Sequence, residues 1–474
     1  MWPAIVRRVS LPAHEALLNR ATFSVLAEIG QGCGNPEGEI EHYQVDAIRD
    51  LLLHAKERVP YWRIRADGAP RSWASGLPAL ADLPILTRAE VRRHRELMRW
   101  VDAPGKLIVH ASSGTTDDNL IFYMDRRRQA WSRALRIRAL SRLGIEPGEK
   151  QVHLWPFFGA GGPLGVLKDA ARKTRDRLTN DPAFDLRPFT PARLDAALDF
   201  LDRYRPVVII GYPSWLFALA QRRLGTAARR RVAEPRFMLS TGELLYEFQR
   251  QAIESAFGSR VVEEYGSQDV GQIASEDEAG SWRVNWEHVV VEVLRNGAAA
   301  SAGETGEVVV TNLHSHVMPF IRYATGDVVT LPGAAPPRTA PGFTTIPRLE
   351  GRASDLLVGV DGRLCSNRDL VDMLVRETNV TNFSLHQTTP DRILCLTTRE
   401  HGWVGQEALV ADLLRSQLGP SLQVDWRIGS AFRPLKSGKR RYVCSPVAQS
   451  LVAHDRESGM FLSRAFPQRV LDAS

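Results

Sequence analysis

An apolar run, Leu107, Ile108 and Val109, leads through His110 and Ala111 into Ser112, Ser113, Gly114, Thr115 and Thr116. Hydroxyls and backbone N–H groups clustered in this way can converge on an anion, and a glycine among them opens backbone conformations that a Cβ forbids. Phosphate binding is the chemistry this stretch suggests. It lacks the GxxxxGK[ST] pattern, so a Walker-type kinase or GTPase loses its strongest support. Metal chemistry has less to work with. His314 and His316 form an HxH pair that on a strand would share one face, with no evident third ligand. Cys33, Cys365, Cys395 and Cys444 are far apart and make no CxxC, which argues against a zinc knuckle or a disulfide framework and fits a reducing cytoplasm.

Composition narrows the partners. A chain of 474 residues, 44% hydrophobic and 24% charged, is expected to form two or more globular domains. The net charge of +7 would draw in an anionic small substrate. No nucleic-acid partner is expected, because the basic residues are scattered among nearly as many acids. Clusters such as Arg126, Arg127 and Arg128, or Arg229, Arg230 and Arg231, read as solvated helix ends. The N-terminal MWPAIVRRVSLPAHEALLNR has no continuous apolar core of the signal-peptide kind, and no run approaches the length that spans a bilayer. A cytoplasmic protein with no membrane partner is therefore expected.

The elements that would position this chemistry alternate. The first forty or so residues are expected to pack as an arm on the main body, and EHYQVDAIRDLLLHAKER then reads as a helix closed by Pro60. In DLPILTRAEV, Thr87 with Glu90 three residues on has the form of a capping box. QAWSRALRIRALSRLG is a helix and QVHLWPFF a strand. ARLDAALDFLDRYRP, SWLFALAQRRL and EFQRQAIESAFG are further helices, interleaved with the strands VVIIGYP, RFMLSTGELL and RVVEEYGSQD. Such alternation predicts parallel βαβ units whose ligands bind at the carboxyl ends of the strands, here after Val109, Ile210, Leu239 and Glu264. From about Trp282 the pattern shifts to short alternating strands, a β-rich subdomain, and a smaller α/β domain opens near Gly351.

Five stretches occur in a fixed order: SSGTT at 112–116, STGE at 240–243, YGSQD at 265–269, YATGD at 323–327 with GRASD at 351–355, and SGKRR at 437–441. Together they resemble the adenylate-forming superfamily of acyl- and aryl-coenzyme A ligases and adenylation domains. GYPSWLFALA, VPYW and DLPILTRAEV are most similar to its phenylacetate-coenzyme A ligase and capsular polysaccharide biosynthesis branch. The resemblance covers roughly residues 45 to 446. It implies an α/β fold: a large ATP- and acid-binding N-terminal domain, 1–350, with a β-rich subdomain, and a small mobile α+β lid, 351–474, carrying a catalytic lysine.

The implied chemistry is activation of a carboxylic acid by ATP and Mg²⁺ as an acyl adenylate, then transfer to coenzyme A. An amine or a carrier protein is the alternative acceptor, and a non-catalytic nucleotide-binding homologue the alternative of another class. By resemblance, Ser112 to Thr116 would hold the β- and γ-phosphates, and Gly242, Glu243, Tyr265 and Gly266 the adenine. Asp269 would bind Mg²⁺, although the family usually has a glutamate there. Asp327 would accept from the ribose hydroxyls, Arg352 would touch ribose or phosphate, Asp355 would be the hinge, and Lys439 the catalytic lysine. Asp117, Asp118 and Asn119 replace the Gly and Lys that commonly follow SSGTT, setting two carboxylates beside a polyphosphate. For the acid, Trp155, Phe157, Phe158, Tyr212 and Pro213 suggest an aromatic or otherwise apolar pocket, with Glu287 and His288 as polar lining.

Overall fold

The computed structural model describes residues 2–31, 37–67, 77–111, 120–157, 163–225, 234–295, 297–333, 338–339, 342–347, 349–399, 402–429 and 438–448. The N-terminal arm contains helices α1 (Leu11–Leu17) and α2 (Thr22–Gln31), followed by the long α3 (Glu37–Arg58). The arm does lie on the body. Val25 and Ile29 of α2 pack on Ala130, Trp131, Ala134 and Leu135 of a later helix. Helix α3 ends at Arg58, and Pro60 starts a further short helix, as suits a residue with no N–H to donate. Helix α4 (Arg88–Arg93) begins at the expected capping box, with Thr87 Oγ1 accepting from Glu90 N and Glu90 Oε2 accepting from Thr87 N.

Strands β1 (Ile108–Ala111) and β2 (Ile121–Met124) form an antiparallel pair, leading into α5 (Arg126–Arg142). The stretch after Val109 therefore joins two antiparallel strands and does not follow a parallel one. The remaining alternation is as expected. Strands β3 (Gln151–Leu154), β4 (Ala183–Phe184), β5 (Val208–Gly211), β6 (Phe237–Thr241) and β7 (Arg260–Ser267) run parallel. Between them come α6 (Pro163–Thr179), which the sequence reading did not anticipate, α7 (Pro191–Tyr204), α8 (Pro213–Leu224) and α9 (Glu247–Phe257). Val208–Gly211 is buried along its whole length, the continuous apolar run of a strand covered on both faces.

Strands β8 (Gly271–Glu276) and β9 (Trp282–Val284) continue this sheet antiparallel to β7. The β-rich part follows as β10 (Val289–Arg295), β11 (Ala298–Ala299), β12 (Thr305–Asn312) and β13 (Tyr323–Thr330); β14 (Thr345–Ile346) closes the first sheet, and β15 (Leu349–Arg352) pairs with β13. The eight-stranded sheet has the order β14-β9-β8-β7-β6-β5-β3-β4, and the five-stranded one β11-β10-β12-β13-β15. After β15 come helices α10 (Asn367–Thr378) and α11 (Glu407–Leu418), packed with a four-stranded sheet. Its strands are β16 (Phe383–Thr389), β17 (Arg392–Thr398), β18 (Gln423–Gly429) and β19 (Val443–Cys444), in the order β18-β17-β16-β19. Among the described residues, no helix is long and apolar enough to cross a membrane.

Register is what places the site. Gly211 lies opposite Ser240, and Thr241 opposite Glu264, so β5 and β6 end nearly level, with β7 running on to Ser267 at the same edge. On the other sheet Asp327 lies opposite Arg352, which sets those side chains together across β13 and β15. Strand β15 spans the division expected at 350/351, so Arg352 belongs to the larger body's sheet.

Candidate active site

One cavity of about 900 Å³ collects Gly242, Gly266, Asp269, Asp327, Arg352 and Lys439 on its walls. Tyr265 and Glu243 border a smaller pocket that shares Gly242, Gly266, Asp327, Arg352 and Lys439 with it. The Tyr265 hydroxyl donates to Asp327 Oδ2 at 2.8 Å, and Arg352 Nε stands 3.6 Å from Asp327 Oδ1. Burial raises the pKa of Asp327, and the Arg352 charge pulls it back down. Asp269 is buried at the end of β7, where its Oδ2 accepts from the Tyr323 hydroxyl at 2.8 Å and faces Arg88 Nη1 at 3.9 Å.

Lys439 reaches this group from the C-terminal unit. It is only 7% exposed, and its Nζ donates to the Gly242 carbonyl at 2.7 Å. Burial lowers its pKa from 10.5 to about 8; Arg352 pushes the same way, while Glu243 and Asp327 oppose. The segment is fixed on both sides of the lysine. Trp215 Nε1 donates to Gly438 O at 2.7 Å, Arg440 N donates to Glu243 Oε1 at 3.0 Å, and Arg441 pairs with Asp355. Glu243 also accepts from Ser214 N and Oγ at 3.1 and 3.0 Å. Gly438 has φ +80°, and a Cβ there would lie 2.7 Å from the Trp215 ring, so both the turn and the close approach require glycine.

Other expected residues fall elsewhere. Ser112, Ser113, Gly114, Thr115 and Thr116, with Asp117 to Asn119, lie outside the described residues, as does Phe158. Trp155 and Tyr212 line the large cavity, their rings 4.4 Å apart. Phe157 and Pro213 are not on its wall: Phe157 lies under the Arg172 guanidinium at 4.1 Å, and Pro213 is the buried first residue of α8. Glu287 and His288 are not lining either. Glu287 is paired with Arg138, and His288 Nε2 lies 3.1 Å from Asn312 Nδ2, in a buried layer behind the site. His314 and His316 sit in the turn after β12; the His314 ring stacks on Trp131 at 3.7 Å. No group of three potential ligands that could hold a metal ion is found among the described residues.

The sequence reading missed several side chains. Arg128, taken as a solvated helix start, is 2% exposed and donates to the main-chain oxygen of Asp269 and, at 3.1 Å, to Ser315 Oγ. Nothing in RRR distinguishes its buried third member except the position, three residues past the N-cap Asp125, that turns it inward. Arg88 and His110 also face the cavity. Both stand beside motifs already noted, Thr87 and Ser112, and proximity was the signal available.

No protein-family model matches the chain. It is 26% identical over 338 residues to the phenylacetate-coenzyme A ligase of Aromatoleum evansii, covering 68% of this chain and 72% of that ligase. It is 23% identical over 295 residues to protein CapK of Staphylococcus aureus, covering 61% and 62%. Among solved structures it is similar in fold to 2-hydroxyisobutyryl-CoA ligase in the postadenylation state in complex with 2-HIB-AMP, with a TM-score of 0.67, 18% identity, and coverage of 89% and 93%. The chain is thus similar in sequence to phenylacetate-coenzyme A ligases and to CapK, and in fold to a coenzyme A ligase, in line with the resemblance carried by the order of its motifs.

Proposed function

We propose that this protein is an AMP-forming ligase that activates a carboxylic acid with ATP and passes the acyl group to coenzyme A. The observation that carries the reading is Lys439, a buried ammonium held where the walls bearing Asp327, Arg352 and Asp269 meet. In the first half-reaction a carboxylate oxygen attacks the α-phosphorus, the bond to the bridging oxygen breaks, and pyrophosphate leaves. Lys439 stabilises the charge that builds between carboxylate and phosphate, which a positioned donor in a dry site does far better than water. In the second, the thiol sulfur of coenzyme A attacks the acyl carbon, its proton is lost, and AMP departs.

Asp327 accepts the ribose hydroxyls with Arg352 beside it, and Tyr265, Gly266, Gly242 and Glu243 form the adenine slot. Ser112 to Thr116 take the leaving phosphates. The single buried carboxylate of Asp269 suits Mg²⁺, which keeps water and phosphate oxygens as most of its ligands. Bound there, the ion would neutralise charge on the departing pyrophosphate. The unit from about residue 351 acts as the lid, turning about Asp355. The similarity to coenzyme A ligases supports that acceptor.

The test is a broad carboxylic-acid panel scored for acid-dependent pyrophosphate release. Release with at least one acid is expected. ATP binding with no release across the panel would sink the proposal and leave a nucleotide-binding homologue. Offering trapped acyl adenylate to coenzyme A, amines and a carrier protein identifies the acceptor.

A further inference from the structure

The cavity continues beyond the reaction centre. From Lys439 and Gly242 it passes Thr241, whose Oγ1 lies 3.4 Å from Glu264 Oε1, into a chamber between α5 and strands β3, β7 and β8. If Lys439 marks where carboxylate meets phosphate, this chamber receives the body of the acid. Trp155, Tyr212 and Ile137 give it some apolar surface for a carbon skeleton. Much of the rest is polar.

Charged side chains in this chamber face one another, with Arg20 and Arg133 sharing the Glu15 carboxylate. Arg136 Nη2 donates to Glu264 Oε1 at 2.5 Å, His153 Nε2 is 2.7 Å from Asp181 Oδ1, and Arg133 Nε is 3.2 Å from Glu15 Oε1. What is left over is neutral hydrogen-bonding capacity. Gln272, 6% exposed and paired in register with Gly266, has neither its amide nitrogen nor its amide oxygen bonded. Beside it in the chamber, Glu264 Oε2 and Arg136 Nε are also buried without partners. Buried polar atoms are nearly always bonded, so donors and acceptors left together on one wall point to a ligand that supplies both.

Resting on the ligase reading above, we infer that the substrate is a carboxylic acid whose body carries neutral hydrogen-bonding groups, hydroxyl or amide, recognised by Gln272 and Glu264. An unsubstituted hydrocarbon acid leaves those atoms unpaired. A site built to bond a hydroxyl rejects the analogue lacking it much more strongly than a greasy pocket rejects a missing methylene.

Matched acids test this in the full-length protein with saturating ATP: phenylacetate with 4-hydroxyphenylacetate and with 4-carbamoylphenylacetate, and octanoate with 8-hydroxyoctanoate. In at least one pair the substituted acid should be favoured by about a hundredfold in kcat/KM for pyrophosphate release, and Gln272→Leu should shrink that ratio by at least about tenfold. Glu264→Gln, which conserves shape, serves as the second variant should Gln272→Leu fail to fold. Equal or better turnover of the unsubstituted acids, or a ratio unmoved in the folded variants, overturns the inference and would mean that water alone satisfies these atoms. Absence of pyrophosphate release with every acid overturns the ligase reading separately. The same pairs are then compared by calorimetric binding to the ATP-loaded protein, where binding of the substituted member alone supports the inference, and equal binding or none overturns it.

Discussion

The nucleotide arm of the cavity and its acyl chamber share a wall yet draw their side chains from different parts of the chain. Around the nucleotide arm the groups come mainly from strand ends and the loops beyond them: Gly242 after β6, Asp269 after β7, Lys439 before β19. The chamber proposed for the acid is lined more from within elements, by Arg136 in the middle of α5, His153 within β3 and Gln272 within β8, although Trp155 and Tyr212 follow strand ends as the nucleotide-side loops do. Loop residues can converge on a ligand with little effect on the core, whereas a residue inside an element must satisfy the fold as well as the ligand. On the proposed reading, chemistry common to many substrates would be carried by one set, and selection of the acid by the other.

That contrast can be broken by substitution. Changes at the nucleotide arm should lower the rate with all acids alike, and changes in the chamber should alter their ratio. The largest expected effect is Lys439→Ala, which should slow pyrophosphate release by about a hundredfold or more while affecting thioester formation from preformed adenylate much less. Equal losses in both half-reactions would sink the assignment. Next comes pH. Because the pKa of Lys439 is lowered to about 8, the cation is lost on raising pH through that value. kcat/KM for adenylation should then fall above pH of about 8, approaching tenfold per unit, as the free-enzyme profile follows the catalytic group. A profile flat through that range would separate Lys439 from the chemistry.

A smaller effect is expected from Asp327→Asn, which should raise the KM for ATP about tenfold, roughly 1.4 kcal/mol, with the acid ratio unmoved. A change of acid preference would contradict the division between the arms. Arg128→Met should lower the melting temperature, with a loss of about 2–4 kcal/mol, chiefly from the Asp269 carbonyl it leaves unbonded, since the Ser315 hydroxyl keeps its bond to the Met318 carbonyl, and should weaken ATP binding through the Asp269 loop. Unaltered stability would mean the buried guanidinium is replaceable.

Most of the parallel sheet was legible because strands such as Val208–Gly211 are covered on both faces and their apolar runs say so. The Thr87 capping box was legible because its signature is local. Arg128 was not, since the partners that bury it, Asp269 and Ser315, lie over a hundred positions away and no local pattern announces them. The polar chamber escaped for a related reason. Gln272 follows Gly271 and Glu264 follows Glu263 with no local pattern to single either out, and only the folded register turns them toward the same space as Arg136. Conversely, Phe157 looked like a pocket residue but its ring lies under Arg172, while its neighbour Trp155 does line the cavity.

The bond from Lys439 to the Gly242 carbonyl has a bearing on turnover. A sequestered ammonium cannot be stripped of its acceptor at small cost. On the proposed reading, the backbone oxygen would hold it in place until an incoming phosphate took over as acceptor, so that the cation would not be left bare between the two.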